Sequence, residues 1–130
     1  MPLFNGSKPP RYFFQESEVL GVPSTTDTVN AVIDADLGRY NYTKLEFQKF
    51  AFKTPTLRNI EYTAPYMHNG VYKTLEEVVD FYEKGGGKGL HIAPPNQTLP
   101  FDKLKLTPAE KKNLVDFMKT LSDTTSAYGY

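Results

Sequence analysis

Only two stretches of this chain carry the pattern of a helix of useful length, so most of the fold must be built from turns. The first, TLEEVVDFYEKGGG, opens with Thr74 and places Glu77 three residues on, a pair that satisfies two backbone donors at a helix start. Leu75, Val78, Val79 and Tyr82 then recur at the spacing of one apolar stripe, and Gly85 to Gly87 end the segment. The second, TPAEKKNLVDFMKTLSD, has Thr107 as its cap, Pro108 at the first helical position and Glu110 closing the same box. Leu114, Phe117, Met118 and Leu121 set its stripe. Elsewhere NGSKPP, GVPSTTD, LGRYN and the run from Gly85 to Pro100 punctuate the chain with turn residues. Strand alternation is weak, and a short helix is predicted near Thr43 to Lys49. The fold class is mostly α, few helices joined by long loops, within one domain of 130 residues. Two helices and this much loop bury little by themselves. Long irregular segments usually wrap something, which implies a ligand, a partner or further chain.

Composition narrows the function by exclusion. Fifteen Lys+Arg balance fifteen Asp+Glu, so no charge excess points to nucleic acid or a membrane surface. No apolar run reaches the roughly 18 residues of a spanning helix, and the start, MPLFNGSKPPRYFF, is not expected to act as a signal peptide. Cysteine is absent, which excludes disulfides, thiolate catalysis and any cysteine-held metal or haem. Nine Tyr and nine Phe suffice to line a large flat ligand, although composition alone favours their filling a core.

Chemistry concentrates in APYMHNG, residues 64–70. The Met67 thioether is a soft neutral ligand suited to haem iron or copper, and Pro65 with the Asn69-Gly70 turn stiffens the backbone on either side. Local spacing alone favours the commoner role of methionine, packing in a core. His68 is open to metal ligation, proton transfer or a structural hydrogen bond. Adjacent side chains diverge, so the structural or supporting role fits better than a metal shared with Met67. His91 lies in a loop and completes no zinc pattern with it. Arg58, in TPTLRN, can clamp a carboxylate with its planar fork or pair with an Asp or Glu. GGGKG fails as a phosphate loop, because no Ser or Thr follows Lys88 and the glycines come after a helix. It reads as helix termination. DADLGR lacks the glycine and glutamate spacing of a calcium loop, and NYT and NQT match the glycosylation acceptor pattern only weakly.

Taken together, FKTPTLRNIEYTAPYMHNGVYKTLEEVVDFYEKGG closely resembles the C-terminal part of bacterial di-haem cytochrome c peroxidases and the related methylamine-utilisation di-haem proteins. LTPAEKKNLVDFMKTL is similar to the helix that ends their second cytochrome c-like domain, and MPLFNGSKPPRYFFQESEVLGVP to the segment after their second haem-attachment motif. The resemblance spans about residues 50 to 122. It divides the chain into a loop-rich segment 1–50, a haem-pocket loop with two helices 51–122, and a tail 123–130.

The resemblance implies a periplasmic two-domain peroxidase in which a small cytochrome or copper protein feeds a high-potential haem c, hydrogen peroxide is reduced at a second haem, and calcium sits between the domains. It makes Met67 the distal ligand of the high-potential haem. Thr54, Pro55, Leu57, Arg58, Tyr66 and His68 become pocket residues, with Arg58 as a propionate partner. The family anchors haem through C-x-x-C-H, which this chain lacks. The expectation is therefore an incomplete cytochrome c-like domain, truncated just after that motif, without the N-terminal domain. Alone it carries no covalent haem and little activity. The last helix would then expose an apolar groove. Two other roles stay open: a haem-free interaction module on the same scaffold, monomeric or homodimeric, and a subunit that completes a haem site with a partner chain bearing C-x-x-C-H.

Overall fold

The computed structural model describes residues 17–123, so expectations for MPLFNGSKPPRYFFQE and for the tail past Asp123 lie outside the described residues. Among the described residues helices and long loops dominate, with one small strand pair. Strand β1 (Ser17–Val19) runs antiparallel to β2 (Ala51–Lys53), in the register Ser17 to Lys53, Glu18 to Phe52 and Val19 to Ala51. Three-residue strands carry too little alternation to be seen in the sequence. On the far edge of β1, Thr98 accepts from the Val19 N–H through its hydroxyl (2.8 Å) and donates its own N–H to the Val19 carbonyl (2.9 Å). Val19 and Ala51 are fully buried as a result.

The expected helix near Thr43 to Lys49 resolves into two single turns. Helix α1 spans Tyr40–Thr43, and a 3-10 turn spans Glu46–Gln48. Lys44 between them takes φ 57°, left-handed backbone that no helix can continue through.

The two long helices form where the caps place them. Helix α2 covers Leu75–Glu83, with the Thr74 hydroxyl accepting from the Glu77 N–H. Helix α3 covers Pro108–Thr120 with both halves of the Thr107–Glu110 box made. They pack together around the main core: Val22, Tyr66, Tyr72, Leu75, Val79, Phe81 and Val115. Lys111 staples the pair, reaching Asp80 Oδ1 at 2.9 Å and Glu83 Oε2 at 2.7 Å.

The stripe expected for α3 is corrected by the structure: Val115, outside that stripe, is the buried residue, Met118 packs against the core, and Leu114 and Phe117 are 43% and 56% exposed. Burial of Val115 in the core shared with α2 leaves Leu114 and Phe117 on the solvent side, and Lys111, one turn before Val115, adds its ion pairs to α2.

GGGKG ends α2 and also joins the two halves of the fold. Gly85 (φ 86°) takes the left-handed step past the helix end, and a 3-10 turn runs Gly86–Leu90. Gly87 then crosses Gly21, donating its N–H to the Leu20 carbonyl at 2.8 Å. A Cβ on Gly87 would lie 2.8 Å from both the Gly21 Cα and the Gly21 oxygen.

Two measurements check this packing. Gly87→Ala is expected to lower the unfolding free energy by about 2 kcal/mol or more, because both atoms in the way are backbone. An unchanged midpoint in urea would contradict the crossing. The second concerns Tyr72, 8% exposed, whose phenol burial pushes up to about 12 from the ordinary 10.0, with the Glu77 charge adding to the effect. The folded state thus disfavours the phenolate. Its contribution is complete below pH 10 and is lost as pH rises through 12, on the order of 2 kcal/mol. Tyr72→Phe should flatten the alkaline limb of the stability–pH curve.

Candidate functional site

The loop around Met67 is fixed from both ends. It follows a cis Ala64–Pro65 peptide and is closed by an isolated bridge between Tyr66 and Tyr72, whose amide and carbonyl meet at 2.6 Å. Tyr66 is 8% exposed and its hydroxyl donates to the Ile60 carbonyl at 2.9 Å. Met67 adopts φ 69°, a left-handed backbone that costs a non-glycine residue about 1 kcal/mol or more. The turn closes through the Gly70 N–H on the Met67 carbonyl at 3.2 Å, and Gly70 also has φ 69°. A Cβ there would stand 3.0 Å from Pro65 Cγ, so glycine suits the position twice over.

Met67 and His68 diverge. Met67 packs, partly buried, against the main core. The His68 imidazole turns the other way and stacks on Phe52, with ring centroids 3.7 Å apart and planes 10° from parallel. Its Nε2 sits 2.8 Å from Asp34 Oδ2, the geometry of an N–H donating to a carboxylate. The His68 side chain is 15% exposed although the residue's backbone lies at the surface. The His68 hydrogen bond holds the Asp34 carboxyl below its ordinary 3.8 against an opposing push from partial burial, helped by the Asp36 backbone and the Asn69 side chain. Asn69 ties the other flank, donating Nδ2 to the Pro23 carbonyl at 2.9 Å and accepting from the Val71 N–H at 3.2 Å.

The remaining predicted residues occupy one open segment. Thr54, Pro55, Leu57 and Arg58 are exposed on the loop leaving β2, with Leu57 44% exposed. Arg58 makes no salt bridge among the described residues. The loop runs into a 3-10 turn at Ile60–Tyr62, in which Tyr62 is 58% exposed. That turn meets the end of α3, where the Asn59 N–H donates to the Leu121 carbonyl at 3.1 Å. Exposed Leu57 and Tyr62 therefore sit on the segment joined to the helix that exposes Leu114 and Phe117. His91, at φ 61°, stands apart in its own loop. Asn96 of NQT braces the Phe47 and Lys49 carbonyls at 3.0 and 2.9 Å, a structural use of that amide.

Sequence reasoning missed Asp34, Phe52 and Pro23 as partners of this loop. Asp34 is 34 residues from His68, and no spacing rule connects them. A cleft of about 160 Å³ between Pro23, Asp27, Tyr72, Asp80, Phe81 and Leu90 includes neither Met67 nor His68. It is below the roughly 300 Å³ at which ligand pockets begin. Among the described residues no group of three or more His, Asp or Glu gathers as a metal site.

No protein-family model matches the chain. Individual proteins do. Cytochrome-c peroxidase IdrP2 of Denitromonas iodatirespirans is 47% identical over 87 residues, covering 67% of this chain and 21% of that protein. Methylamine utilization protein MauG of Methylorubrum extorquens is 35% identical over 94 residues, covering 71% of this chain and 25% of that protein. Among solved structures, a MauG-like protein associated with microbial copper homeostasis superposes with a TM-score of 0.68 at 34% identity, over 83% of this chain and 35% of that one. The chain spans about a fifth to a quarter of the length of the first two relatives. Over some two thirds of its length it is homologous to the cytochrome-c peroxidase and MauG proteins, and it belongs with that family.

Proposed function

We propose that this chain forms the methionine side of a c-type haem site, on a cytochrome c-like scaffold, in an electron-transfer domain of a periplasmic peroxidase. The observation that carries the proposal is the state of Met67: a thioether on a left-handed backbone, in a loop tied down at Tyr66, His68 and Asn69. Rigid placement is what a weak neutral ligand needs, because the protein must supply the geometry that bond strength does not.

The donor chemistry fits the group. A thioether is soft and uncharged, and Leu57, Tyr62, Leu114 and Phe117 leave apolar side-chain surface open. In this proposal Met67 would hold the haem iron through its sulfur, and Thr54, Pro55, Leu57 and Tyr66 would line the pocket. Arg58 holds a propionate through its planar guanidinium. Bound haem supplies one-electron chemistry, and a thioether ligand raises its potential. The chain contains no cysteine, so thioether links to the porphyrin come from residues outside this sequence, on the same parent protein or on a partner chain bearing C-x-x-C-H. Peroxide reduction, the calcium site and docking of a small donor cytochrome or copper protein are assigned to the parent protein. No helix among the described residues is long and apolar enough to cross a membrane.

The packing of Met67 against the core favours a second role, a haem-free interaction module in which the thioether is simply core. One titration separates the two. The full chain is mixed with a short haem peptide that carries its own C-x-x-C-H histidine and an open sixth position. The haem proposal expects a Soret shift to a low-spin spectrum and the weak red charge-transfer band of methionine-ligated ferric haem. Both should vanish in Met67→Leu, which preserves volume and removes sulfur. Spectra identical for the two proteins would leave the module.

A further inference from the structure

We infer that Asp34 and Phe52 are positioning residues: acting through His68, they hold the Met67 backbone left-handed and aim its thioether. The inference deepens the haem proposal and rests on it for its functional meaning, while its structural content stands by itself.

A non-glycine residue at φ 69° persists only where its neighbours determine the conformation. On one side of Met67, Tyr66 is held by its bridge to Tyr72 and its hydroxyl on Ile60. On the other side, the adjacent residue is His68, and its ring is fixed in two independent ways. The stack on Phe52 sets the plane of the imidazole (3.7 Å, 10°). The hydrogen bond to Asp34 sets its rotation within that plane (2.8 Å). A stacked ring alone slides and spins, and a hydrogen-bonded ring alone rocks; together they leave one orientation. The partners come from different parts of the chain, Phe52 from β2 and Asp34 from the loop after the Pro23–Ile33 bridge.

Asp34 is itself set in place. The Asp36 N–H donates to its Oδ2 (3.2 Å), and Asn69, two residues past Met67, donates to Pro23 on the same segment. The segment that fixes His68 thus also fixes Asn69. Releasing it frees both residues that follow Met67, and the left-handed backbone can then relax. The thioether would point elsewhere even though Met67 is unchanged. His68 serves as a lever here, its imidazole committed to Phe52 and Asp34.

The test uses the full chain with Asp34→Ala, Phe52→Leu and the conservative Asp34→Asn, which keeps an acceptor oxygen for the imidazole. Two readouts need no haem. The Gly70 amide, bonded to the Met67 carbonyl, reports opening of the turn by hydrogen exchange. A carbon-13 label on the methionine methyls reports whether Met67 keeps one environment. Exchange at Gly70 should rise about tenfold or more in Asp34→Ala and Phe52→Leu. The Met67 methyl should leave its single position, and the amides of Val79 and Phe81 in α2 should change by less than about twofold. Asp34→Asn should fall between. The third readout is the red band formed with the haem peptide, which should weaken at equal occupancy in Asp34→Ala and Phe52→Leu. Unchanged exchange and methyl position in both variants would overturn the inference outright. Faster exchange with an intact methyl position and an intact band would also overturn it, because the pair would then brace the loop without aiming the sulfur. If the free-chain signals respond while the wild-type chain never forms the band, the haem proposal falls and the clamp on Met67 stands.

Discussion

The fold depends on one place where two backbones touch with nothing between them. Gly21 follows β1, and Gly87 follows α2. Because neither has a side chain, the Gly87 amide reaches the Leu20 carbonyl. That crossing joins a loop-built half, containing β1, β2 and the single-turn helix, to a helical half containing α2 and α3. Val22 lies just past the crossing and enters the core with Tyr72, Leu75 and Phe81. Pro23 and Asp34 come next, and they are the residues that hold the Met67 loop from outside. A wider separation at the glycines would carry these residues away from the helices and leave the site loop attached only through its own ends.

The site itself is a balance between a costly backbone and many modest ties. Left-handed methionine is unfavourable by about 1 kcal/mol or more, comparable to what a single net hydrogen bond contributes. No one tie need be strong. The Tyr66 hydroxyl, the Asn69 amide and the His68–Asp34 pair act on successive residues, so relaxation at Met67 requires several to break together. The charge-assisted bond to Asp34 is the strongest in kind, and stacking on Phe52 covers one imidazole face.

The sequence announces structure wherever the causes are local. Thr74 with Glu77, Thr107 with Pro108 and Glu110, and the stop at Gly85 act within four residues, and both helices lie where these signals put them. The rigidity of APYMHNG is likewise written in Pro65 and Gly70. What is illegible spans long separations: Asp34 with His68, Phe52 with His68, Gly21 with Gly87. Such contacts are chosen by how whole segments pack, and no periodicity records them. The division of the α3 stripe belongs to the same class. Leu114 and Val115 are equally apolar as letters, and only the way α3 packs against α2 decides which of them faces inward.

The outward face of α3 also bears on how the chain behaves among copies of itself. Phe117 and Leu114 are open to solvent, together with Leu104 and Tyr62. The formal net charge at pH 7 is +0, so long-range repulsion between copies is at its weakest near neutrality. Apolar surface and absent repulsion together favour crowding into reversible clusters. A partner that covered α3 would therefore also serve as its solubiliser, and the isolated chain keeps best in solution away from neutral pH, where one sign of charge prevails.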